Sequence, residues 1–163
     1  TEFPMFKKNE DTGEIESEHH PFTSPHFDDI DLIDKDPLNV RSLSYDLILN
    51  GYELASGSQR IHLSELQEKV FKKLKLSDDD INNKFGYFIE SLKYGTPPHL
   101  GIALGLDRLI MVLCNTKNIR DVIAFPKTQK ASDLMMQTPS NATKEQLKEL
   151  DLKTSPTEII WPT

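Results

Sequence analysis

Apolar and polar positions alternate most clearly in Ser44-Tyr-Asp-Leu-Ile-Leu-Asn-Gly-Tyr-Glu-Leu-Ala55, which predicts a β-hairpin. Its strand-like runs flank Asn50-Gly51, which supplies the two positive φ angles of a tight type I′ turn. Helical spacing follows. Leu66, Val70, Phe71 and Leu74 share one face of a run opened by Ser64-Glu-Leu-Gln67, which reads as a capping box. Ser77 reads as the cap of a second helix, with Asp78, Asp79 and Asp80 in the first turn and Ile81, Phe85, Phe88 and Leu92 at helical spacing. Tyr94-Gly-Thr-Pro-Pro-His99 is a turn into a glycine-bearing strand, and a helix is expected over about 106–115. Residues 121–126 read as a short buried strand closed by proline, and a last short helix falls around 143–150.

The remaining stretches are polar. Residues 7–18 are acidic with one glycine and read as a mobile loop; residues 19–25 carry two prolines and should be extended; residues 26–39 are acidic and irregular. Antiparallel hairpins mixed with capped helices make the fold class α+β.

At 163 residues the chain is one ordinary domain or a piece of a larger one. It holds no apolar run near the ~20 residues needed to span a membrane. Its one cysteine, Cys114, excludes a disulfide framework, suits a reducing compartment and reads as a small core residue. A net charge of -7 argues against nucleic-acid binding by non-specific charge, so such a partner would need a local patch. The chain opens on Thr1 with no methionine or signal-like stretch, and so reads as a piece cut from a longer one.

Chemistry enters through the hairpin. A two-residue turn pairs Leu49 with Tyr52, Ile48 with Glu53 and Asp46 with Ala55. Asp46 and Glu53 then share a face as diagonal neighbours, with Cα atoms ~7–8 Å apart. Two such carboxylates suit Mg²⁺ shared with substrate phosphates; they suit equally a solvated polar face with Tyr45, Leu47, Leu49, Tyr52 and Leu54 buried behind it. Arg60 follows seven residues after Glu53, and strict alternation puts it on the opposite face. A bulge at Ser56-Gly57-Ser58 would restore it to the acidic side, to bind a ligand carboxylate or to pair with Glu53 or Asp46.

Gly101-Ile-Ala-Leu-Gly-Leu-Asp-Arg108 runs a strand through glycine into a helix start, where free N–H groups favour anions. Arg108 can fork onto phosphate or lie on an aromatic base; it can also be a solvated charge beside tight glycine packing. Asp78, Asp79 and Asp80 read as a solvated helix start rather than a metal site. His19 and His20 are donors at a site or plain loop residues, while His62 and His99 suggest no partner.

Taken together, His19-His-Pro-Phe-Thr-Ser-Pro25, the run from Tyr45 to Ile61, Tyr94–His99, Gly101–Arg108 and Asn118–Lys127 resemble the C-terminal part of bacterial-type aspartyl-tRNA synthetases. The glycine–arginine element resembles motif 3 of class II synthetases. The likeness runs from about Phe3 to Ser140, which implies residues 1–140 as part of a catalytic domain and residues 141–163 as a tail. It implies an antiparallel six-stranded sheet flanked by helices, in a cytoplasmic, homodimeric enzyme that activates L-aspartate with ATP and charges tRNA. By position, Asp46 and Glu53 would hold Mg²⁺–ATP, Arg60 the substrate's side-chain carboxylate, and His19 would close over the substrate. Gly105, Leu106, Asp107 and Arg108 would line the ATP site, with Arg108 on the nucleotide.

Motif 1, the motif 2 arginine, the anticodon-binding barrel and the inserted domain have no counterpart in this sequence, and residues 154–163 match nothing. Lysyl- and asparaginyl-tRNA synthetases share the implied fold, but an arginine aimed at the side chain suits an acid and repels a lysine. A non-catalytic module built on a synthetase core is the other alternative.

Overall fold

The computed structural model describes residues 1–154. The chain divides into two compact units, Thr1–Leu109 and the residues from Ile110 onward. Helices and antiparallel strands alternate along it, as the α+β reading requires.

The first unit is built on a sheet of order β3-β4-β5, in which β3 is Ser44–Leu49, β4 Tyr52–Gln59 and β5 Leu100–Leu104. Asn50 and Gly51 take φ of 52° and 82°, and the turn brings Leu49 opposite Tyr52 and Ile48 opposite Glu53 as expected. The register then shifts. Leu47 faces Ala55 and Asp46 faces Ser56, so Asp46 is not paired with Ala55 and Leu54 is the unpaired residue of a bulge. Leu54 bulges because both its ends find partners: its side chain is buried and its carbonyl accepts the Gly105 N–H at 2.7 Å. The bulge lies earlier than Ser56-Gly57-Ser58 but changes the parity in the expected way.

Gly57 is required by packing. A Cβ there would stand 2.2 Å from the Gly101 carbonyl oxygen and 2.7 Å from the Tyr45 ring, which crosses β4 so that its hydroxyl donates to that same carbonyl at 2.9 Å. The sheet face carrying Leu47, Ile102 and Leu104 is not buried: these side chains are 48%, 52% and 63% exposed.

Residues 7–18, expected as a loop, form a hairpin with β1 at Phe6–Lys8 and β2 at Ile15–Ser17. Its turn is closed by the Asn9 carboxamide, which accepts the N–H groups of Asp11 and Thr12 at 2.9 Å, and by Gly13 at φ 72°. The acidic stretch after Pro25 holds two 3₁₀ turns and a short helix α1, Leu32–Lys35. Asp29, buried within it, receives Arg41 Nε at 2.8 Å and Nη2 at 3.1 Å, and this guanidinium holds its carboxyl down to about 2.

Helices α2 (Ser64–Lys73) and α3 (Asp78–Lys93) follow the predicted periodicity. Ser77 caps α3, its hydroxyl accepting the Asp80 N–H at 3.1 Å. Ser64 is the first residue of α2 rather than its cap, and no side chain caps that helix. Val70 of α2 closes one core cluster with Met5, Phe6, Ile33, Val40 and Ile61. Phe71 closes another with Ile81, Ile89 and Leu92, against which Phe22, Phe85 and Phe88 pack. Rings of Phe71 and Phe85 stack at 5.0 Å, and Phe22 meets Phe88 edge-on at 5.0 Å. This aromatic cluster sits directly under the segment that carries His20.

Helix α4, Leu106–Leu113, starts one residue beyond β5. In the second unit, residues 119–122 make a 3₁₀ turn, so the strand expected at 121–126 does not form. The Asn118 side chain caps that turn on the Arg120 N–H, Thr116 binds the Asp121 carboxylate at 2.7 Å, and Phe125 is exposed. Cys114, expected in the core, is also exposed. Helix α5, Lys144–Glu149, opens on a capping box between Thr143 and Gln146. No helix among the described residues is long and apolar enough to cross a membrane.

Candidate active site

Register puts the first three candidate residues on one face, but Arg60 stands at the far end of it and not beside the acidic pair. Asp46 and Ile48 alternate onto one face of β3, Glu53 lies opposite Ile48, and the bulge at Leu54 brings Ser56 and Ser58 onto that face as well. Arg60, two residues further, continues the same alternation. Its N–H donates to the His99 carbonyl at 2.9 Å, and it bridges to Thr23 on the other side. The arginine is thus held between the 19–25 segment, expected to be extended but turning at His20–Thr23, and the turn that leads into β5.

The Arg60 guanidinium lies against the imidazole of His20, its Nη1 meeting Nε2 most closely, with Nδ1 3.1 Å away. The Phe22 N–H also points at Nδ1, from 3.2 Å. Around them opens a pocket of about 570 Å³, walled by Phe22, Phe88, His99 and Leu100. Burial, then the charge of Arg60, then His19 lower the affinity of His20 for a proton below its ordinary value. His19 itself is exposed and packs edge-on to Phe3 at 5.7 Å, so His20 and not His19 meets Arg60. The sequence signal for this partner was the doubled histidine, which by itself does not say which ring turns inward. His99 had no expected partner, and it enters as a pocket wall.

A pH dependence follows. The unfolded chain takes up a proton near 6.5, whereas folded His20 does so only at lower pH. Just below 6.5 the unfolded state therefore binds more protons, and this contribution to stability, complete above 6.5, falls as the pH drops toward the folded value. The melting temperature of the wild-type chain relative to His20→Phe is expected to decline as the pH is lowered through this window. A difference that instead grew on acidification would remove the assignment.

The second half of the site is the β5–α4 junction. Gly105 docks its N–H on the Leu54 carbonyl, and a Cβ there would come 3.3 Å from that oxygen. Leu106, Asp107 and Arg108 then form the exposed first turn of α4. Arg108 Nη1 donates to the Glu53 carbonyl at 2.8 Å and lies 3.7 Å from its carboxylate, with both side chains half-exposed. The internal ion pair considered for Arg60 is therefore made by Arg108. Among the described residues Asp46 has no ion-pair partner, Arg60 has no carboxylate partner, and no group of three or more His, Cys, Asp or Glu side chains could hold a metal ion. The Asp78–Asp80 triplet is a capped helix start, with Asp80 paired to Lys84 at 2.8 Å.

Residues 1–129 match the family model described as tRNA synthetases class II (D, K and N). The chain is 59% identical over 161 residues to the aspartate–tRNA(Asp/Asn) ligase of Protochlamydia amoebophila, covering 99% of this chain and 27% of that protein. It is 65% identical over 153 residues to the ligase of the same name from Chlamydia muridarum, covering 94% and 26%. The chain therefore spans about a quarter of the length of the curated relatives it matches. Among solved structures it is similar to an aspartyl-tRNA synthetase from Entamoeba histolytica, with a TM-score of 0.55 and 32% identity, covering 69% of this chain and 20% of the other. It is likewise similar to an asparaginyl-tRNA synthetase from the same organism, with a TM-score of 0.54 and 26% identity, covering 70% and 23%. The chain belongs to the class II tRNA synthetases of the D, K and N group.

Proposed function

We propose that this chain supplies part of the active site of an aspartate–tRNA ligase, contributing the amino-acid side-chain pocket and one wall of the ATP site. Arg60 carries the reading. It is a half-buried guanidinium in an aromatic-walled pocket, and no carboxylate among the described residues neutralises it. Such a cation gains most from a ligand carboxylate, which it grips through two parallel charge-assisted hydrogen bonds. An asparagine side chain offers no charge in return, and a lysine is repelled. His20 lies beside the guanidinium as the second polar group of the pocket; His19, the residue the resemblance places over the substrate, would have to reach it from the exposed segment.

In the reaction, an oxygen of the aspartate α-carboxylate attacks the α-phosphorus of ATP in line and pyrophosphate leaves; a tRNA hydroxyl then takes the aspartyl group from the adenylate and AMP leaves. Arg108 neutralises negative charge on the nucleotide from the first turn of α4, where the N–H groups of Leu106 and Asp107 add positive potential. Asp46 and Glu53 fit Mg²⁺ by their chemistry: two hard carboxylates on one face of the hairpin, leaving the other positions to phosphate oxygens and water. When bound there, Mg²⁺ would supply positive charge to the polyphosphate. In the same reading, residues 1–140 are catalytic-domain sequence, residues 141–163 are a tail, and the intact enzyme is a cytoplasmic homodimer.

The test is ATP–pyrophosphate exchange by an intact enzyme that carries this chain, driven in turn by aspartate, asparagine and lysine. Aspartate alone is expected to support exchange. Asparagine or lysine turning over as well as aspartate would overturn the reading.

A further inference from the structure

Gln67 is a fully buried amide in the core face of α2, beside Val70 and Phe71. Its Nε2 donates to the Pro21 carbonyl at 2.7 Å, while its Oε1, equally buried, has no partner. Burying an amide with an orphaned acceptor is unfavourable, and an apolar side chain of similar volume would fill the place without that cost. The one return on this arrangement is the grip on Pro21.

Pro21 separates His20, whose ring meets Arg60, from Phe22, which walls the same pocket. On the strand side the segment is already tied down, with Ile61 N–H on the Phe22 carbonyl at 3.0 Å and Ser24 N–H on the Gln59 carbonyl at 2.9 Å. His20 itself is turned back by its own carbonyl accepting from Thr23 N–H at 3.3 Å. The Pro21 carbonyl is thus the contact by which α2 fixes the backbone next to His20. We propose that Gln67 is a positioning residue that sets the His20 ring against Arg60, and through it the affinity of the pocket for the substrate's side-chain carboxylate. The proposal rests on the reading of the Arg60 pocket given above.

The experiment compares Gln67→Met, His20→Ala, their double variant and Arg60→Ala in the intact enzyme by pyrophosphate exchange, with melting temperatures measured alongside. Gln67→Met is expected to raise the KM for aspartate roughly tenfold and to leave the KM for ATP within about twofold. Added to His20→Ala it should raise the aspartate KM little further, because both changes disable one device. Equal effects on both substrates, or effects that add fully to those of His20→Ala, would make Gln67 a structural residue only. Gln67→Leu provides a second apolar replacement, and loss of the fold in both variants would overturn the proposal as well. Arg60→Ala separates the two readings. If it leaves the aspartate KM unchanged, the pocket reading falls and the proposal falls with it. If it raises that KM and Gln67→Met does not, only the assignment of Gln67 falls.

Discussion

Arg60→Ala in the intact enzyme is expected to weaken aspartate use by roughly 30-fold or more, with a smaller change in the apparent ATP requirement. Truncating one partner of a buried, hydrogen-bonded charge pair costs ~2–5 kcal/mol, and the lower bound already corresponds to a factor of about 30. The pocket favours the larger effect. Arg60 is half-buried beside Phe22 and Phe88, and His20, whose affinity for a proton is lowered by burial and by Arg60, is a poor substitute for its charge. Discrimination against asparagine should fall with the same substitution, since the variant pocket no longer distinguishes a carboxylate from an amide by charge. Arg60→Lys should recover only part of the loss, because an ammonium cannot reproduce the planar fork. Steady-state exchange with aspartate and ATP varied separately is the measurement. A variant that changed only the ATP term, or kept its discrimination against asparagine, would remove Arg60 from the side-chain pocket.

What the residues disclosed in advance was what local rules control. Asn50-Gly51 fixed the hairpin turn because positive φ at two successive positions admits few alternatives. Ser77 with its aspartates announced a helix start, and the repeated apolar positions of α3 found the core. The sequence offered a bulge at Ser56-Gly57-Ser58 that would bring Arg60 to the face of Glu53. Its actual position did not follow, because it depends on Leu54 reaching the core and the Gly105 amide, a contact 51 residues away in sequence that no local pattern encodes. The same holds for the ion pair of Glu53 with Arg108, which only the β4–β5 register creates. The hairpin at 7–18 was missed because its turn is made by the Asn9 side chain rather than by a glycine pair. Residues 121–126 and Cys114 failed in the opposite direction: their apolar composition resembles a buried strand and a core position, but the described structure leaves Phe125 and Cys114 exposed. His19 and His20 were indistinguishable in sequence; the packing of Phe22 against Phe71 and Phe88 settles which ring faces Arg60.

Arg108→Ala should show the reverse profile to Arg60→Ala: an apparent KM for ATP raised roughly tenfold or more, and a smaller effect on aspartate. The structure supplies a competing explanation that must be separated, since Arg108 also tethers the hairpin through the Glu53 carbonyl and carboxylate. That tether is half-exposed, and ion pairs of this kind contribute only ~0–1 kcal/mol. Its loss should therefore lower the melting temperature little. A cation required by the polyphosphate has no such ceiling, because negative charge builds on the nucleotide as pyrophosphate departs. Glu53→Gln is the informative companion. It removes the carboxylate but keeps the backbone carbonyl, so the stronger contact to Arg108 at 2.8 Å survives. If Arg108 acts on the nucleotide, Glu53→Gln should shift the dependence on Mg²⁺, and Arg108→Ala should shift the dependence on ATP at saturating Mg²⁺. If instead Arg108→Ala lowers stability markedly and raises both KM values together, the arginine is a brace between β4 and α4, and the nucleotide must be held by groups outside this chain.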